Sequence, residues 1–134
     1  MYYFDTEIRV RYGETDQMGY VYYGFYAQYY EIGRVELLRS LGISYKEIEN
    51  AGYALPVVSM QTNYKSPALY DDLLTVRTII KKKPLAKIIF DYEIYNIQKK
   101  IINTAQVVLV FVDMKTKKPC LAPKIVIDKI NHLF

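Results

Sequence analysis

Four long stretches of β-branched, aromatic and aliphatic residues dominate the sequence after Gly52, and the connections between them are very short. Such stretches favour β-strands. Pro or charged residues mark the junctions, and short links between consecutive strands predict antiparallel hairpins. The predicted strands are Tyr53–Tyr64, Leu73–Lys82, Ile88–Ile97 and Ile101–Met114.

A single long helical pattern precedes these strands. From about Tyr23 to Leu41, apolar residues recur at spacings of three and four, and Gly42 is a natural stop. The apolar stripe is wide, so we expect the helix to be covered on most sides, with Gly33 permitting close approach of another backbone. A short second helix is predicted after Ser44, which begins a capping box.

The remaining segments complete one domain. Residues Phe4 to Tyr12 alternate between apolar and charged side chains, which predicts a strand with one buried face, and Pro123 through Leu133 fits a short closing helix. No repeat or linker divides the chain, so residues 1–134 are interpreted as a single domain. One long helix and one five-stranded antiparallel sheet must bury each other, which predicts an α+β fold with the sheet curled around the helix. The apolar outer face and the open edges predict dimerisation.

Composition excludes several classes of function. Eighteen Lys and Arg against fourteen Asp and Glu give a net charge of +4, which suits phosphorylated small molecules but is too weak and dispersed for a DNA-groove binder. The fifteen tyrosines fall mostly at helical core spacing, so nucleic-acid stacking is not needed to explain them. Cys120 and His132 are the only residues of their types, which excludes an internal disulfide and His-bearing metal motifs. We therefore expect a carboxylate or a tyrosine to carry any proton transfer, with no metal.

The sequence carries no signal for membrane insertion or export. Its apolar runs are shorter than the ~18 residues that a membrane span needs. The first residues lack the basic and apolar regions of a signal peptide. The expectation is a cytoplasmic protein without a membrane span.

The segment between the first strand and the long helix holds the strongest candidate site. Asp16 lies in a polar loop just before a helix start, where unpaired backbone N–H groups can hold an oxyanion. A carboxylate across from such groups can attack a carbonyl carbon or activate water. Alternatively, Asp16 only caps the helix or forms a turn with its own backbone. The spacing alone leaves both interpretations open.

This segment resembles the signature of the hotdog-fold acyl-CoA thioesterases of the 4-hydroxybenzoyl-CoA thioesterase/YbgC-like family. Two later stretches, 64–76 and 110–123, are also similar to the family, so the resemblance spans nearly the whole chain. The matching residues of the first segment are Tyr12, Glu14, Thr15, Asp16, Gly19, Val21, Tyr22, Tyr26, Tyr29, Tyr30 and Glu31.

The resemblance implies a hotdog fold and hydrolysis of acyl-CoA or aroyl-CoA. It implies that Asp16 is the catalytic nucleophile or general base and that the backbone N–H of Tyr23 polarises the thioester carbonyl. Many YbgC-like members have His where this chain has Tyr23, so a His proton relay is absent here. The resemblance also implies sites between subunits of a homodimer or homotetramer, with CoA as part of the substrate and no separate cofactor. Substrate contacts are expected from Gly19, Val21 and Tyr22.

Other residues are candidates for substrate binding with an alternative structural role. Glu31 lies about two turns into the long helix; it contacts the acyl group if the family pattern holds, or else pairs with Arg34. Leu55 opens a strand and lines the acyl pocket, or is plain core.

Lysines supply the candidate CoA contacts. Lys65 and Ser66 lie in a family-like stretch, while Lys82 and Lys83 lie at a basic hairpin tip that either binds CoA phosphates or is a solvated turn. Two alternative functions stay open: a non-enzymatic acyl-CoA binding or sensing module, and a thioesterase acting on acyl carrier protein.

Overall fold

The computed structural model describes residues 1–134, in which one long helix lies against a curved antiparallel sheet. The helices are α1 (Tyr26–Ser40), α2 (Tyr45–Asn50) and α3 (Lys124–Ile130). The strands are β1 (Tyr2–Arg9), β2 (Tyr53–Ala54), β3 (Val57–Tyr64), β4 (Leu73–Ile80), β5 (Lys87–Tyr95), β6 (Ile101–Asp113) and β7 (Lys118–Cys120). The predicted α+β class is confirmed.

All strand pairs are antiparallel, and the five long strands run in the order β1–β4–β5–β6–β3. The short strands β2 and β7 extend the sheet around the last residues of β6. The five predicted strands are therefore present, one of them divided into β2 and β3, and β7 is a short strand in addition. Both β1 and β3 pair on one side only, so each is an edge of the sheet.

The core lies between α1 and the inner face of the sheet. Tyr29, Tyr30 and Leu37 of α1 are almost fully buried, and the inner faces of β4, β5 and β6 supply the opposing side chains. A Cβ atom on Gly33 would lie 2.4 Å from Thr78 Oγ1, so only glycine lets α1 come this close to β4. Gly33 permits a close approach, as predicted, but the nearest atoms belong to side chains of β4 and β5 and not to another backbone.

Three predicted boundaries change for local reasons. The strand predicted over Tyr53–Tyr64 is interrupted at Leu55 and Pro56, because proline has no N–H to give to the ladder. Val57 follows with a register shift against β6. The long helix begins at Tyr23 as one 3₁₀ turn before α1. The first strand ends at Arg9, and Tyr12 is exposed in a second 3₁₀ turn instead of facing the core.

None of the helices is both long enough and apolar enough to span a bilayer. The longest, α1, has 15 residues and carries charged side chains.

Candidate active site

The loop that carries Asp16 is a tight reversal between β1 and the long helix. Asp16 N–H donates to Tyr20 O at 2.8 Å, and Gly19 N–H returns to Asp16 O at 3.0 Å. Gly19 has a φ of +77°, which a residue with a Cβ rarely adopts. Thr15 and Val21 pair as an isolated bridge that closes the loop. The backbone around Asp16 is therefore fixed on both sides.

The two oxygens of the Asp16 carboxylate have different surroundings. Its Oδ1 accepts the N–H of Met18 at 2.9 Å and that of Tyr20 at 3.2 Å, so the interpretation as a turn-forming residue accounts for this oxygen. Oδ2 accepts no hydrogen bond from the protein, and the side chain is exposed. One carboxylate oxygen thus orients the group while the other stays available.

A cavity of about 310 Å³ opens beside this carboxylate. Five of the residues predicted for the site line it together, although they come from three separate parts of the chain. The backbone N–H groups of Lys65 and Ser66 both donate to Ile102 O, which fixes this wall against β6. The five residues are Asp16, Val21, Tyr23, Lys65 and Ser66.

Tyr23 is the first residue of the helical segment, and its N–H is free. The N–H of Tyr22 donates to Glu14 O at 2.9 Å, and the N–H of Phe25 donates to Tyr22 O. The N–H groups of Tyr23 and Gly24, which lie between them, donate to no protein oxygen. Such free N–H groups are expected at the start of a helix, where the dipole also favours negative charge. The residues that line the cavity therefore include one with a free carboxylate oxygen and one with a free backbone N–H.

Two tyrosines near the cavity have their protonated forms favoured by the surroundings. Burial raises the pKa of Tyr26 above its ordinary value of 10.0, and the hydrogen bond with Tyr23 raises that of Tyr22. Cys120 lies elsewhere, and burial raises the pKa of its thiol, which argues against a thiolate nucleophile. Asp16 is the only residue with a carboxylate among those that line the cavity, which makes it the candidate base.

Comparison with known proteins identifies the family. Residues 10–130 match the family model of the thioesterase-like superfamily. The chain belongs to this superfamily. YneP of Bacillus subtilis (strain 168) is 38% identical over 84% of this chain and 82% of YneP. The acyl-CoA thioester hydrolase YbgC of Escherichia coli O6:H1 is 33% identical over 96% of each chain.

A solved thioesterase has the same architecture. The crystal structure of Slr0204, a 1,4-dihydroxy-2-naphthoyl-CoA thioesterase from Synechocystis, superposes with a TM-score of 0.89 at 26% identity, covering 98% of this chain and 97% of that one. The resemblance to hotdog-fold thioesterases that the sequence carries is thereby confirmed, as is the predicted hotdog fold.

Two residues predicted for this thioesterase site lie beside the cavity and not within it. Gly19 lines a neighbouring cavity of about 590 Å³ that shares Asp16. Tyr22 is exposed, and its ring packs against that of Tyr23 with centroids 4.7 Å apart. Both therefore lie at the edge of the Asp16 cavity.

Glu31 is exposed on α1 and lines none of the principal cavities. The alternative, an ion pair with Arg34, is wrong, because Arg34 Nε instead donates to Tyr45 OH at 3.3 Å. Arg34 is almost fully buried, and Tyr45, which accepts its hydrogen bond, is on α2.

Leu55 lines a separate apolar cavity of about 550 Å³ between α2, β2 and the end of β6. The register of the sheet places this cavity at the opposite end from Asp16. Val57 faces Leu109 near the end of β6, whereas Tyr64, beside Asp16, faces Asn103 near its beginning. At about 3.3 Å per residue, the length of β3 separates the two cavities by roughly 25 Å.

Lys82 and Lys83 also lie at the far end of the sheet. They follow β4, whose last residue, Ile80, pairs with Tyr2 at the start of β1, whereas the Asp16 loop follows the end of β1. Within one chain the structure does not bring these lysines to the Asp16 cavity.

Sequence reasoning missed two groups of residues at the site. Tyr26 and Tyr64 line the Asp16 cavity, and their rings meet edge to face at 5.5 Å. Their helical and strand spacing is the same as that of core residues, so no sequence signal separates the two roles. Glu14 is a buried carboxylate two residues before Asp16, and its place in the motif was the available signal.

Proposed function

We propose that this chain hydrolyses acyl-CoA thioesters to the free acid and CoA, with Asp16 as nucleophile or general base. The single observation that carries the proposal is one cavity lined by both Asp16, which has a free carboxylate oxygen, and Tyr23, which has a free backbone N–H. The Tyr23 N–H would donate a hydrogen bond to the thioester carbonyl oxygen as negative charge develops on that oxygen. The family membership and the YbgC and Slr0204 relatives support the same reaction class.

The chemistry needs only these two groups and water. In one route Asp16 attacks the thioester carbon, the C–S bond breaks, and water then hydrolyses the acyl-aspartate. In the other, Asp16 takes a proton from water, whose oxygen bonds to the carbon as CoA thiolate leaves. Thiolate is a good leaving group, so neither route requires a strong general acid, a metal or a cofactor beyond the CoA of the substrate.

The direct test is Asp16→Asn. Asparagine keeps a side-chain oxygen for the N–H groups of Met18 and Tyr20, so the turn is retained while the carboxylate is lost. Asp113→Asn is the matched control, because Asp113 Oδ1 accepts the N–H of Lys115 at 2.8 Å in a similar turn at the other end of the sheet. We expect hydrolysis to be abolished in the first variant and unchanged in the second.

The assay is a screen over short, long and aromatic acyl-CoAs, with the preferred acyl group also presented on acyl carrier protein. Normal turnover by Asp16→Asn would refute the mechanism. Binding of acyl-CoA without turnover by the unmodified protein would favour the binding-module alternative. Faster turnover of the acyl carrier protein conjugate would identify the carrier as the substrate.

We further propose a homodimer formed along β3, with each site shared between subunits. β3 is an edge strand, and seven of its eight residues are exposed, so neither face is covered; Val58 is 58% and Met60 51% exposed. Such an apolar edge is a ready surface for pairing with a second chain. In an antiparallel pair of β3 strands, the Tyr64 end of one chain lies beside the Val57 end of the other, because a two-fold axis relates them.

The dimer would bring together the Asp16 and Leu55 cavities, which lie at opposite ends of the sheet in a single chain. The Asp16 cavity of one subunit would adjoin the Leu55 cavity of its partner, which then receives the acyl group. The far-end lysines, Lys82 and Lys83, would reach a CoA phosphate only across such an interface or a further one between dimers.

Complementation tests the shared site: chains carrying Asp16→Asn and chains carrying Leu55→Arg are each expected to be inactive. Mixing them should restore about a quarter of the wild-type rate, since about half the dimers are mixed and each has one intact site. No recovery on mixing, despite subunit exchange, would refute a shared site.

A further inference from the structure

Glu14 is a buried carboxylate that the proposed reaction does not use. It is 5% exposed and lies in the 3₁₀ turn that follows β1. Removing a carboxylate from water is costly unless it is paired and hydrogen-bonded. Three donors around Glu14 satisfy this requirement: two belong to Arg11 and one to Tyr29.

The side chain of Glu14 joins the loop to the long helix. Oε1 accepts the backbone N–H of Arg11 at 2.9 Å and the hydroxyl of Tyr29 at 2.8 Å, and Oε2 accepts Arg11 Nε at 2.8 Å. Tyr29 is on α1 and is itself 1% exposed. A single carboxylate therefore links the end of β1 to the buried face of α1.

The backbone of Glu14 makes a second link to the same helix. Its carbonyl accepts the N–H of Tyr22 at 2.9 Å, and Tyr22 directly precedes the free N–H of Tyr23. Asp16 follows Glu14 by two residues, and the bridge between Thr15 and Val21 lies between them. Side chain and backbone together connect the loop bearing the carboxylate to the helix start bearing the donor.

We propose that Glu14 is a positioning residue that sets the separation and orientation of Asp16 and the Tyr23 N–H. This inference rests on the proposed thioesterase function. Glu14 does not line the Asp16 cavity. It therefore acts on the reaction only through Asp16 and Tyr23, which do. Misplacement of reacting groups by about 1 Å can cost two orders of magnitude in rate.

The ionisation states of Glu14 and Tyr29 fit a structural role and not proton transfer. Burial acts to raise the pKa of Glu14, but the hydrogen bonds from Arg11 and Tyr29 outweigh it, and the pKa falls below its ordinary value of 4.5. Burial and the Glu14 carboxylate raise the pKa of Tyr29 far above its usual range. The pair therefore stays as carboxylate and phenol across the working pH range, and the hydrogen bond persists.

Tyr29→Phe tests the inference with the smallest change, because it removes one hydroxyl and keeps the ring that packs on Tyr26 at 5.7 Å. Tyr30→Phe is the matched control. Tyr30 is the next residue on α1, is equally buried, and donates its hydroxyl to Asn103 in the core, away from the loop. A loss of stability alone would affect the two variants alike.

Two readouts separate positioning from stability. We expect kcat for acyl-CoA to fall about 10-fold or more in Tyr29→Phe, with KM within about two-fold, and to stay at the wild-type value in Tyr30→Phe. Amide hydrogen exchange of Asp16 and Tyr22 should accelerate about 10-fold in Tyr29→Phe only, with α1 still protected. Glu14→Gln should give a larger effect of the same kind, because its amide N–H₂ would face Arg11 Nε.

The outcomes are distinct from those of the proposed function. Equal kcat and equal exchange in the two tyrosine variants would overturn the positioning role, even with wild-type protein fully active and Asp16→Asn inactive. Faster exchange in Tyr29→Phe with kcat unchanged would also overturn it, since the hydrogen bond between Glu14 and Tyr29 would then not affect the reaction. An inactive wild-type protein would overturn the proposed function and the catalytic part of this inference together.

Discussion

Gly33→Ala measures how tightly α1 is held on the sheet that positions its first residues. The added Cβ would lie 2.4 Å from Thr78 Oγ1 and 3.0 Å from Val76 Cγ1. Both are side chains of β4 with no exposed surface, in the interior of the sheet. The contact cannot be relieved by a surface rotamer, so either α1 or β4 must move.

The magnitude follows from two opposing effects. Overpacking a core costs about 1–3 kcal/mol, and an overlap this short against a strand falls at the upper end. Alanine is favoured over glycine inside a helix by about 1 kcal/mol. We therefore expect a net destabilisation of about 2 kcal/mol, which for a domain of this size lowers Tm by about 7 °C.

Urea unfolding followed by circular dichroism, with the slope m compared between variants, gives the free energy directly. Gly13→Ala is the control, since nothing lies within 4 Å of its added Cβ and its φ is not positive. Thr78→Ala should relieve the overlap, because Thr78 Oγ1 makes no hydrogen bond and its removal opens space. The double variant should recover about 1–2 kcal/mol relative to additivity. A Gly33→Ala protein as stable as wild type would refute the close packing of α1 on β4.

Three further outcomes are expected. Lys65→Ala should raise KM for acyl-CoA about five-fold at constant kcat, as for a lost charge-assisted contact of about 1 kcal/mol, while the exposed Lys46→Ala changes neither constant. Val58→Lys adds a charge to the free edge of β3 and should shift the oligomer toward monomer in sedimentation velocity, and an unchanged oligomer would exclude this edge as the interface. The pKa of Glu14 is depressed on folding, so the stability lost in Glu14→Gln should be greatest at neutral pH and should shrink as pH falls below 4.5. If the difference in unfolding free energy between wild type and Glu14→Gln stays constant down to about pH 3, the pKa of Glu14 is not depressed.

The elements of the fold could be predicted because each depends on a local pattern. The alternation from Phe4 to Ile8 reports one buried face of β1 without reference to any other segment. The break at Pro56 was the exception, since the flanking residues favour strand equally on both sides. Only the pairing with β6 shows that one missing N–H ends β2 and shifts the register of β3.

The site was less predictable because it depends on distant contacts. Asp16 could be found from its motif, but the burial of Glu14 depends on Tyr29, fifteen positions along the chain. The division of the predicted residues between two ends of the sheet follows from strand direction, which no local pattern reports. Lys65 and Ser66 meet Asp16 because β3 ends where β1 ends, whereas Leu55 and the far-end lysines lie where β4 ends.

The geometry of the loop also explains why an aspartate, and not a longer acid, suits the proposed reaction. An exposed carboxylate is free to rotate, and ordering such a side chain costs on the order of 1 kcal/mol. In this loop the bonds from Met18 and Tyr20 to Oδ1 offset that cost and hold the carboxylate in one orientation, with Oδ2 free. A side chain longer by one methylene could not reach both N–H groups from the same backbone. Asp16→Glu should therefore keep the charge and still lose most of the rate, whereas a rate near wild type would mean that the turn contributes nothing to catalysis.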